Sequence, residues 1–268
     1  GSVVKECVVC CLDLISGMAE GLGPAIAPCV APTNLRQLLL ECMRDATPSV
    51  RQSAFALVGD LAKAVEYQSP IITEVLSEYI PVLTAQVEPE TVSVCNNASW
   101  AIGEVAIKVD RPAMAPYVQP ALAKLIPLLN QQGSLNKSLI ENAAITLGRL
   151  ALVGPELAAP ALEHYVRSWC IALRSIRDDI EKDHAFQGLV AVIQLNPQGA
   201  FCALLPANEL FAAFASWTHI PPQLNEAVRG TVEGYRQALP PDDWRKVVEA
   251  TATLPADQRQ RLAERYAV

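Results

Sequence analysis

Basic residues are scarce in this chain relative to acidic ones. Its 268 residues include 21 Lys and Arg against 28 Asp and Glu, which gives a formal net charge of −7. Proteins that bind nucleic acid usually carry a basic surface, so the composition argues against that class of partner. An acidic surface favours basic partners instead.

Uninterrupted hydrophobic runs are also lacking, although 51% of the residues are hydrophobic and only 18% are charged. The longest uncharged runs begin at Gly21 and Leu189, and proline interrupts both. A membrane span needs about 18 or more continuous apolar residues. We therefore interpret both runs as junctions between helices and expect no membrane partner.

The patterns that carry catalysis are missing as well. The histidines are His164, His184 and His219, and none has a nucleophile and base in a recognisable pattern around it. No glycine-rich phosphate loop appears. The acidic cluster at 178–183 falls at a turn and a helix start, where carboxylates complement the helix dipole, so we interpret it as structural. The sequence predicts a protein that is not an enzyme and has no cofactor.

Eight cysteines are present, most of them inside apolar helical patterns. Cys7, Cys10 and Cys11 lie close together, but no matching Cys/His pair follows at zinc spacing, so we predict no metal site. Small apolar thiols of this kind are usually buried. Free buried thiols indicate a reducing compartment, the cytosol or the nucleus.

A repeat of forty-odd residues runs through the chain, marked by a glycine in the second half of a helix. The spacings between successive marker glycines are 42, 44, 45 and 40 residues. The glycines are Gly17, Gly59, Gly103, Gly148 and Gly188. HEAT and armadillo repeats have this period, and a second apolar helix follows each glycine helix. The pattern predicts an all-α solenoid of HEAT repeats built from antiparallel helix pairs, with the glycines explained by close packing of neighbouring helices.

The expected organisation is one solenoid of about six repeats after a two-residue cloning scar at 1–2. The chain enters helical pattern at once, which is typical of a fragment cut at a repeat boundary. The more polar end, "LPADQRQRLAERYAV", suits a terminal capping repeat. The expected repeats are 3–45, 47–87, 89–130, 136–176, 178–217 and 221–268.

Helical spacing places polar, acidic and aromatic side chains on one stripe of the glycine helices. Val92, Asn96 and Trp100 follow one another at four-residue intervals and so share a helix face, and Glu104 continues the line. Asn97 falls off the stripe, so we expect it to make a structural contact between helices. Corresponding positions on neighbouring helices are Asp13, Glu20, Gln52, Asp60, Ser138, Asn142 and Ile145. Such a stripe suits an extended peptide that carries basic and apolar residues, although spacing alone leaves a buried core role for Trp100 open.

Long segments of the chain resemble, in the same order, the transportin family of karyopherin-beta-type nuclear import receptors, also called the importin beta family. The segments are "CLDLISGMAEGLG", "DATPSVRQSAFALVGDL", "VSVCNNASWAIGEV", "SLIENAAITLGRLALVGPELAAP", "WCIALRSIRDDIEKDHAFQGL" and "LAERYAV". The resemblance covers residues 3–268. It implies a C-terminal arch segment of a HEAT-repeat superhelix that binds cargo without catalysis.

The resemblance implies a specific role in nuclear protein import. This part of the family binds the N-terminal basic or hydrophobic portion of PY-type nuclear localisation signals, carried by cargo such as RNA-binding proteins. The full-length receptors also bind the Ran GTPase, mostly through regions outside this chain, and shuttle between cytoplasm and nucleus. The implied cargo-peptide contacts are Asp13, Glu20, Gln52, Asp60, Val92, Asn96, Trp100, Ser138, Asn142, Ile145 and Ile176, of which Ile176 comes from the resemblance alone.

Three positions, Cys10, Val92 and Ser138, depart slightly from familiar members of the family, and these small changes bear on pocket shape and cargo preference rather than on the presence of the site. A different HEAT-repeat scaffold, such as a phosphatase adaptor subunit, remains the alternative because the repeat period also allows it.

Overall fold

The chain is a stack of helices. In a computed structural model, residues 2–205 and 208–268 are described, and they form helices without any β-strand. Gly1 of the expected cloning scar lies outside the described residues, whereas Ser2 begins the first helix. The α-helices are α1 (Ser2–Leu22), α2 (Ala27–Val30), α3 (Leu35–Met43), α4 (Pro48–Ala64), α5 (Pro70–Thr73), α6 (Leu76–Ala85), α7 (Val92–Ala106), α8 (Arg111–Asn130), α9 (Lys137–Val153), α10 (Pro155–Ala158), α11 (Val166–Leu173), α12 (Ile180–Leu195), α13 (Phe201–Leu204), α14 (Glu209–Ala215), α15 (Pro222–Ala238), α16 (Pro241–Ala250) and α17 (Ala256–Tyr266). Short 3-10 turns cover Gly23–Ile26, Ala159–His164, Gln198–Ala200 and Thr251–Thr253.

The helices form two packed layers. In one layer the glycine-bearing helices stack in order, α1 on α4, α4 on α7, α7 on α9 and α9 on α12. In the other layer α3, α6, α8, α11 and α14 pack in sequence. The apolar residues between the layers form one continuous core, which runs from Leu12 to Tyr266. This arrangement confirms the prediction of an all-α repeat solenoid.

Close packing explains the marker glycine in two central helices. A Cβ atom on Gly59 of α4 would collide with the indole of Trp100 on α7. A Cβ atom on Gly103 of α7 would lie 2.6 Å from the hydroxyl oxygen of Thr146 on α9. Each glycine therefore admits a side chain from the next helix of the stack.

The next pair of glycines brings two backbones together, but the first marker glycine behaves differently. A Cβ atom on Gly188 of α12 would collide with the carbonyl oxygen of Gly148 on α9, and one on Gly148 would collide with the backbone of Ala185. Around Gly17 of α1, in contrast, nothing lies within 4 Å of the Cβ position, and the residue is exposed. The close-packing explanation is confirmed for the other marker glycines and is wrong for Gly17.

Two of the second helices, expected to follow the glycine helices after Gly59 and Gly148, are broken. The segment 69–87 divides into α5 and α6 at Val75, whose φ of −110° and ψ of 0° leave the helical region. The bend lets both halves bury apolar side chains. The segment 155–176 passes from α10 through a 3-10 turn to α11. Pro160 lies in that turn and has no N–H with which to continue an α-helix.

The expectation that most cysteines are buried is wrong. Only Cys95 and Cys170 are buried; Cys42 is half-buried, and the other five are exposed. Three of the exposed thiols are on α1, which packs on α4 along one side. Because the described residues do not cover the other sides of α1, its apolar sequence does not imply burial.

One helical segment meets the length and hydropathy criteria for a membrane span, which the uncharged runs in the sequence did not meet. The segment Val3–Val30 is long and apolar enough to cross a membrane by length and composition, with a mean hydropathy of 1.4. A bent pair, Lys137–Val153 with Pro155–His164, passes the same test only when both parts are taken together, at an angle of 118°. Length and composition do not separate a span from a packed helix. Here α1 packs on α4, and a 3-10 turn at Gly23, whose φ is 54°, interrupts the segment.

Candidate functional site

The residues expected to contact a peptide lie mainly on four neighbouring helices, α1, α4, α7 and α9. Their exposure differs from residue to residue. Asp13, Glu20, Val92 and Ser138 are exposed; Gln52, Asp60, Asn96, Trp100 and Asn142 are half-buried; Ile145 and Ile176 are buried, at 4% and 7% exposure. Ile176 follows α11, in the other layer. Nine of the eleven side chains therefore have surface that a partner can reach without rearrangement.

A ladder of side-chain amides connects three of these helices. The amide nitrogen of Asn97 on α7 donates to the backbone carbonyl of Gln52 on α4 at 3.0 Å. The amide nitrogen of Asn142 on α9 donates to Asn96 at 2.9 Å, and Asn96 in turn donates to Asn97 at 3.3 Å. The structural contact expected for Asn97 is confirmed. Asn96, which we expected to meet a peptide, also has two partners within the chain, so its amide is oriented in advance.

Trp100 occupies the centre of this surface. The six-membered ring of its indole packs over the backbone of Gly59, which fixes the side chain against α4. The residue nevertheless remains half-buried rather than buried. Val92 lies two turns earlier on the same helix and is 41% exposed. Together they give α7 an apolar and aromatic surface beside the amide ladder.

The α1 end of the surface is acidic. Among the described residues, Asp13, Glu20 and Asp60 form no ion pair within 4 Å. Burial raises the pKa of the Asp60 carboxyl, and the nearby Glu20 carboxylate raises it further. The Ser16 hydroxyl lowers that pKa in part, although it makes no hydrogen bond of normal geometry. Lys63 also lowers it. A carboxylate in this position would gain from an incoming cation.

A hollow of about 440 Å³ opens beside this acidic end, between α1 with its following turn and the second half of α4. Glu20 and Asp60 line one part of it, and Lys63 and Lys108 line another. The ammonium of Lys108 donates to backbone carbonyls of Lys63 and Val65. Glu66 also lines the hollow, and among the described residues no ion pair within 4 Å joins its acids to Lys63 or Lys108.

A buried ion pair closes the other end of the stripe. Glu104 continues the line of Trp100, but it is 2% exposed and its carboxylate accepts from the Arg149 guanidinium at 2.7 Å. Arg149 also lies 3.5 Å from the carboxylate of Glu181 on α12. Burial raises the pKa of Glu104, and Arg149 offsets part of that effect. Sequence reasoning missed Arg149, whose only signal was a charge inside the apolar run "AAITLGRLALV".

The acidic cluster at the start of α12 is structural, as the sequence indicated. Asp179 caps the helix by accepting from the backbone N–H groups of Glu181 and Lys182. Asp178 accepts from the Lys182 ammonium at 2.8 Å and from the backbone N–H groups of Thr218 and His219. Lys182 is 1% exposed and lies 4.6 Å from the ring centroid of Trp217. In the part of the chain that the structure describes, no cluster of His, Cys, Asp and Glu is placed to hold a metal ion.

Comparisons with known proteins give a consistent group of relatives. No protein-family model matches the chain. The chain is 44% identical over 266 residues to a protein named Transportin-1 from Oryza sativa subsp. japonica, which covers 98% of this chain and 29% of the relative. It is 39% identical over 265 residues to Transportin-1 from Homo sapiens, with 98% and 28% covered. Importin subunit beta-2 from Schizosaccharomyces pombe is 37% identical over 212 residues, with 78% and 23% covered.

These relatives are transport receptors and not enzymes. The chain spans less than a third of the length of each of them. Among solved structures, a designed armadillo repeat protein matches with a TM-score of 0.52 at 16% identity, covering 92% of this chain and 93% of that one. An engineered protein matches with a TM-score of 0.54 at 14% identity, covering 97% and 67%. At these identities the structural likeness establishes the repeat-solenoid fold alone.

Proposed function

Because the chain is homologous to the transportins of the importin beta family over almost its whole length, we propose that it binds cargo as part of a nuclear import receptor. The bound element is the N-terminal basic or hydrophobic portion of a PY-type nuclear localisation signal, held on the concave face of the solenoid. Binding is an equilibrium capture of an extended peptide without chemistry. The whole receptor's work, which includes release by the Ran GTPase and passage between cytoplasm and nucleus, also requires the rest of the length found in the relatives, which is more than two-thirds.

The observation that carries the proposal is the composition of one surface. Half-buried Trp100 and exposed Val92 offer apolar area, and the amides of Asn96 and Asn142 lie beside them. Carboxylates without ion pairs follow on α1 and α4. An extended peptide needs these three kinds of group: apolar area for its side chains, amides for its backbone, and negative charge for its Lys or Arg residues.

The energetics predict modest affinity for this chain alone. An exposed ion pair contributes about 0.2–1 kcal/mol, and salt screens it because the Debye length is about 8 Å at physiological ionic strength. Apolar burial against Trp100 adds to this in a salt-independent way. We therefore expect binding that weakens as salt increases but is not abolished.

The test is a titration of a fluorescently labelled signal peptide that contains a basic and hydrophobic N-terminal segment. Wild type is compared with Trp100→Ala, and Trp244→Ala serves as the matched control, because Trp244 is also half-buried but lies on α16. We expect Trp100→Ala to weaken binding about tenfold, which corresponds to about 1.4 kcal/mol. Trp244→Ala should leave affinity unchanged. Equal affinities for wild type and Trp100→Ala would exclude this surface.

A HEAT-repeat adaptor for folded protein partners is the alternative. It predicts that folded partners are retained in a pull-down panel while signal peptides are not. The proposal predicts the reverse.

A further inference from the structure

A pocket of about 640 Å³ opens where α12, α13, α15 and α16 meet. None of its lining residues belongs to the proposed peptide surface, and most of them are apolar or aromatic. Ile193, Leu204 and Val247 line it and are at most 2% exposed, so they form its inner part. Gln194 and Gln198 line it and are exposed, so they lie at its mouth.

Two aromatic rings line the same pocket. The ring centroids of Phe201 and Tyr235 lie 5.7 Å apart, with the ring planes at 56°. The hydroxyl of Tyr235 donates to the backbone carbonyl of Pro197 at 2.8 Å, so its one polar atom already has a partner. Phe201 is 37% exposed and has ring surface free for a further contact. The pocket therefore offers an aromatic wall whose rings are held in place.

Two glycines of α15 keep the pocket open. Gly230 and Gly234 both line it, and they lie four residues apart on one face of the helix. Nothing lies within 4 Å of either Cβ position, in contrast to Gly148 and Gly188, where a neighbouring backbone excludes a Cβ atom. Glycine inside a helix is destabilising relative to alanine. Helix packing does not explain these two glycines, and a larger side chain at either position would take up pocket space.

Among the described residues that line the pocket, Asp243 is the only charged one. It is half-buried, and one oxygen of its carboxylate accepts from the ammonium of Lys246 at 2.8 Å. Both side chains of that pair are partly exposed, at 41% and 61%, so the pair is weak. No described residue donates a hydrogen bond to the second oxygen of Asp243. The pocket therefore has one negative group that can accept a further cation.

We propose that this pocket binds a small organic molecule with an aromatic or aliphatic body and a cationic end. The body lies against the backbone of α15 at Gly230 and Gly234 and beside the ring of Phe201, and the cation lies at Asp243. The inference goes beyond the proposed function, because no residue of the peptide surface takes part in it.

The size and the lining of the pocket select this class of occupant. Pockets for small molecules have volumes of about 300–1,000 Å³ and are mostly apolar, with a few polar groups that fix the orientation of the ligand. A protein partner instead buries about 800 Å² of broad surface, and such a surface does not reach Ile193, Leu204 and Val247. The carboxylate of Asp243 attracts a cation and repels an acid.

The probes are dansylcadaverine, which joins a naphthalene ring to a primary ammonium, and its N-acetyl derivative, which keeps the ring and loses the charge. An end-capped Gly-Trp-Lys-Gly peptide offers similar groups on a peptide backbone. Fluorescence titrations measure the affinity of each probe for wild type, Gly234→Leu, Gly230→Leu and Asp243→Asn. Gly17→Leu is the matched control, because Gly17 is also an exposed helical glycine with nothing within 4 Å of its Cβ position.

We expect one dansylcadaverine to bind per chain. Gly234→Leu and Gly230→Leu should each weaken binding about tenfold, whereas Gly17→Leu should leave it unchanged. Asp243→Asn should weaken binding of dansylcadaverine about threefold, in line with an exposed ion pair, and should leave binding of the N-acetyl derivative unchanged. The probe should also raise the melting temperature of wild type more than that of Gly234→Leu. Far-UV circular dichroism verifies that each variant is folded.

Three results would overturn the inference. If dansylcadaverine binds both leucine variants as tightly as wild type, the pocket is not its site. If the N-acetyl derivative binds wild type as tightly as dansylcadaverine, the occupant is not a cation. If the tetrapeptide binds and dansylcadaverine does not, the occupant is a peptide. None of these results bears on the proposed function, because Gly234→Leu should bind the signal peptide as wild type does.

Discussion

The indole of Trp100 lies against the backbone of Gly59, in the space that a Cβ atom on Gly59 would require. Two residues that sequence analysis treated separately, one as a marker of the repeat and one as a binding residue, are therefore a single packing unit. The glycine determines where the tryptophan can lie, and so it determines the position of the central apolar group on the proposed peptide surface.

Replacement of Gly59 should therefore disturb both stability and binding. In Gly59→Ala the new methyl group displaces the Trp100 ring, and overpacking of this kind costs about 1–3 kcal/mol, against a gain of about 0.5–1 kcal/mol from the better helix former. Gly17→Ala is the matched control, since it has open space and should raise the free energy of unfolding by about 0.5–1 kcal/mol. Urea denaturation measures both. A Gly59→Ala variant as stable as Gly17→Ala would contradict the packing described here.

The buried pair of Glu104 and Arg149 predicts a strong, pH-dependent effect. Arg149→Met leaves the Glu104 carboxylate buried without its partner, which should lower the free energy of unfolding by about 3–5 kcal/mol. Removal of Arg149 raises the pKa of Glu104 further, so the folded state holds a proton that the unfolded state releases. Stability of the variant should therefore fall as pH rises above the ordinary range of a glutamate, about 4.3.

Urea denaturation of Arg149→Met at several pH values between mildly acidic and neutral tests this expectation. The double variant Arg149→Met with Glu104→Gln is the control, because it removes both charges, and it should recover much of the loss. A double variant that is less stable than the single one would show that the charge is not the cause.

The Asp60 carboxylate should lower the stability of the fold near neutral pH while it strengthens binding of a basic peptide. Burial, with a smaller contribution from Glu20, holds its pKa above the ordinary value. For an acid with a raised pKa, the folded state binds more protons than the unfolded state, so stability is lost as pH rises through that range. Asp60→Asn should therefore melt at a higher temperature than wild type near neutral pH, with the difference disappearing in acid, while it weakens binding of a basic peptide.

Asp13→Asn is the control for Asp60→Asn, because it removes one negative charge from an exposed position on α1. Surface substitutions usually change stability by less than about 0.5 kcal/mol, so its melting temperature should match wild type. If Asp60→Asn lowers the melting temperature near neutral pH, the expectation for Asp60 is wrong.

At the start of α12, loss of the Asp178 carboxylate should destabilise the fold more than loss of the Lys182 ammonium. Asp178→Ala leaves the buried ammonium of Lys182 without its carboxylate and removes the acceptor for two backbone N–H groups, which should cost about 3–5 kcal/mol. Lys182→Met places an unbranched apolar side chain beside Trp217 and should cost less. Urea denaturation measures the free energy of unfolding of both variants. A Lys182→Met variant less stable than Asp178→Ala would contradict this expectation.

The stability of the Asp178→Ala variant at alkaline pH provides a second test of the pair of Asp178 and Lys182. Burial lowers the pKa of Lys182, and Asp178 partly offsets that effect. Without Asp178 the pKa of Lys182 falls further, so the unfolded state binds more protons than the folded one. The stability of Asp178→Ala should therefore rise with pH as pH approaches the ordinary value of lysine, about 10.4.

The repeat could be predicted from the sequence because glycine spacing has a direct physical cause. At Gly59, Gly103 and Gly148 the next helix approaches too closely for a Cβ atom, so the residue recurs wherever the contact recurs. Gly17 has the same spacing but lacks the close contact. The repeat period therefore predicts that a helix is present, but it does not predict how closely the next helix packs against it. The exposed thiols of α1 have a related explanation. An apolar sequence pattern predicts a helix, but it does not show which faces of that helix other elements bury.

The candidate site could be predicted only where local geometry suffices. Asn96 and Trp100 share a face because they are four residues apart on one helix. Arg149 lies 45 residues from Glu104, on a different helix, so neither helical period nor residue type could show that this pair removes Glu104 from the surface. The six repeat boundaries and the peptide contacts remain predictions.

The backbone contact between Gly148 and Gly188 has a mechanical consequence. Because no side chain separates α9 from α12 there, sliding or rotation of those two helices past each other would break the backbone contact, whereas Gly17 on α1 makes no such close contact with another helix. A solenoid loaded in tension should therefore yield first near its N-terminal helices. In a force-extension experiment on the chain, we expect the earliest extension to come from α1, with the segment around α9 and α12 the last to open.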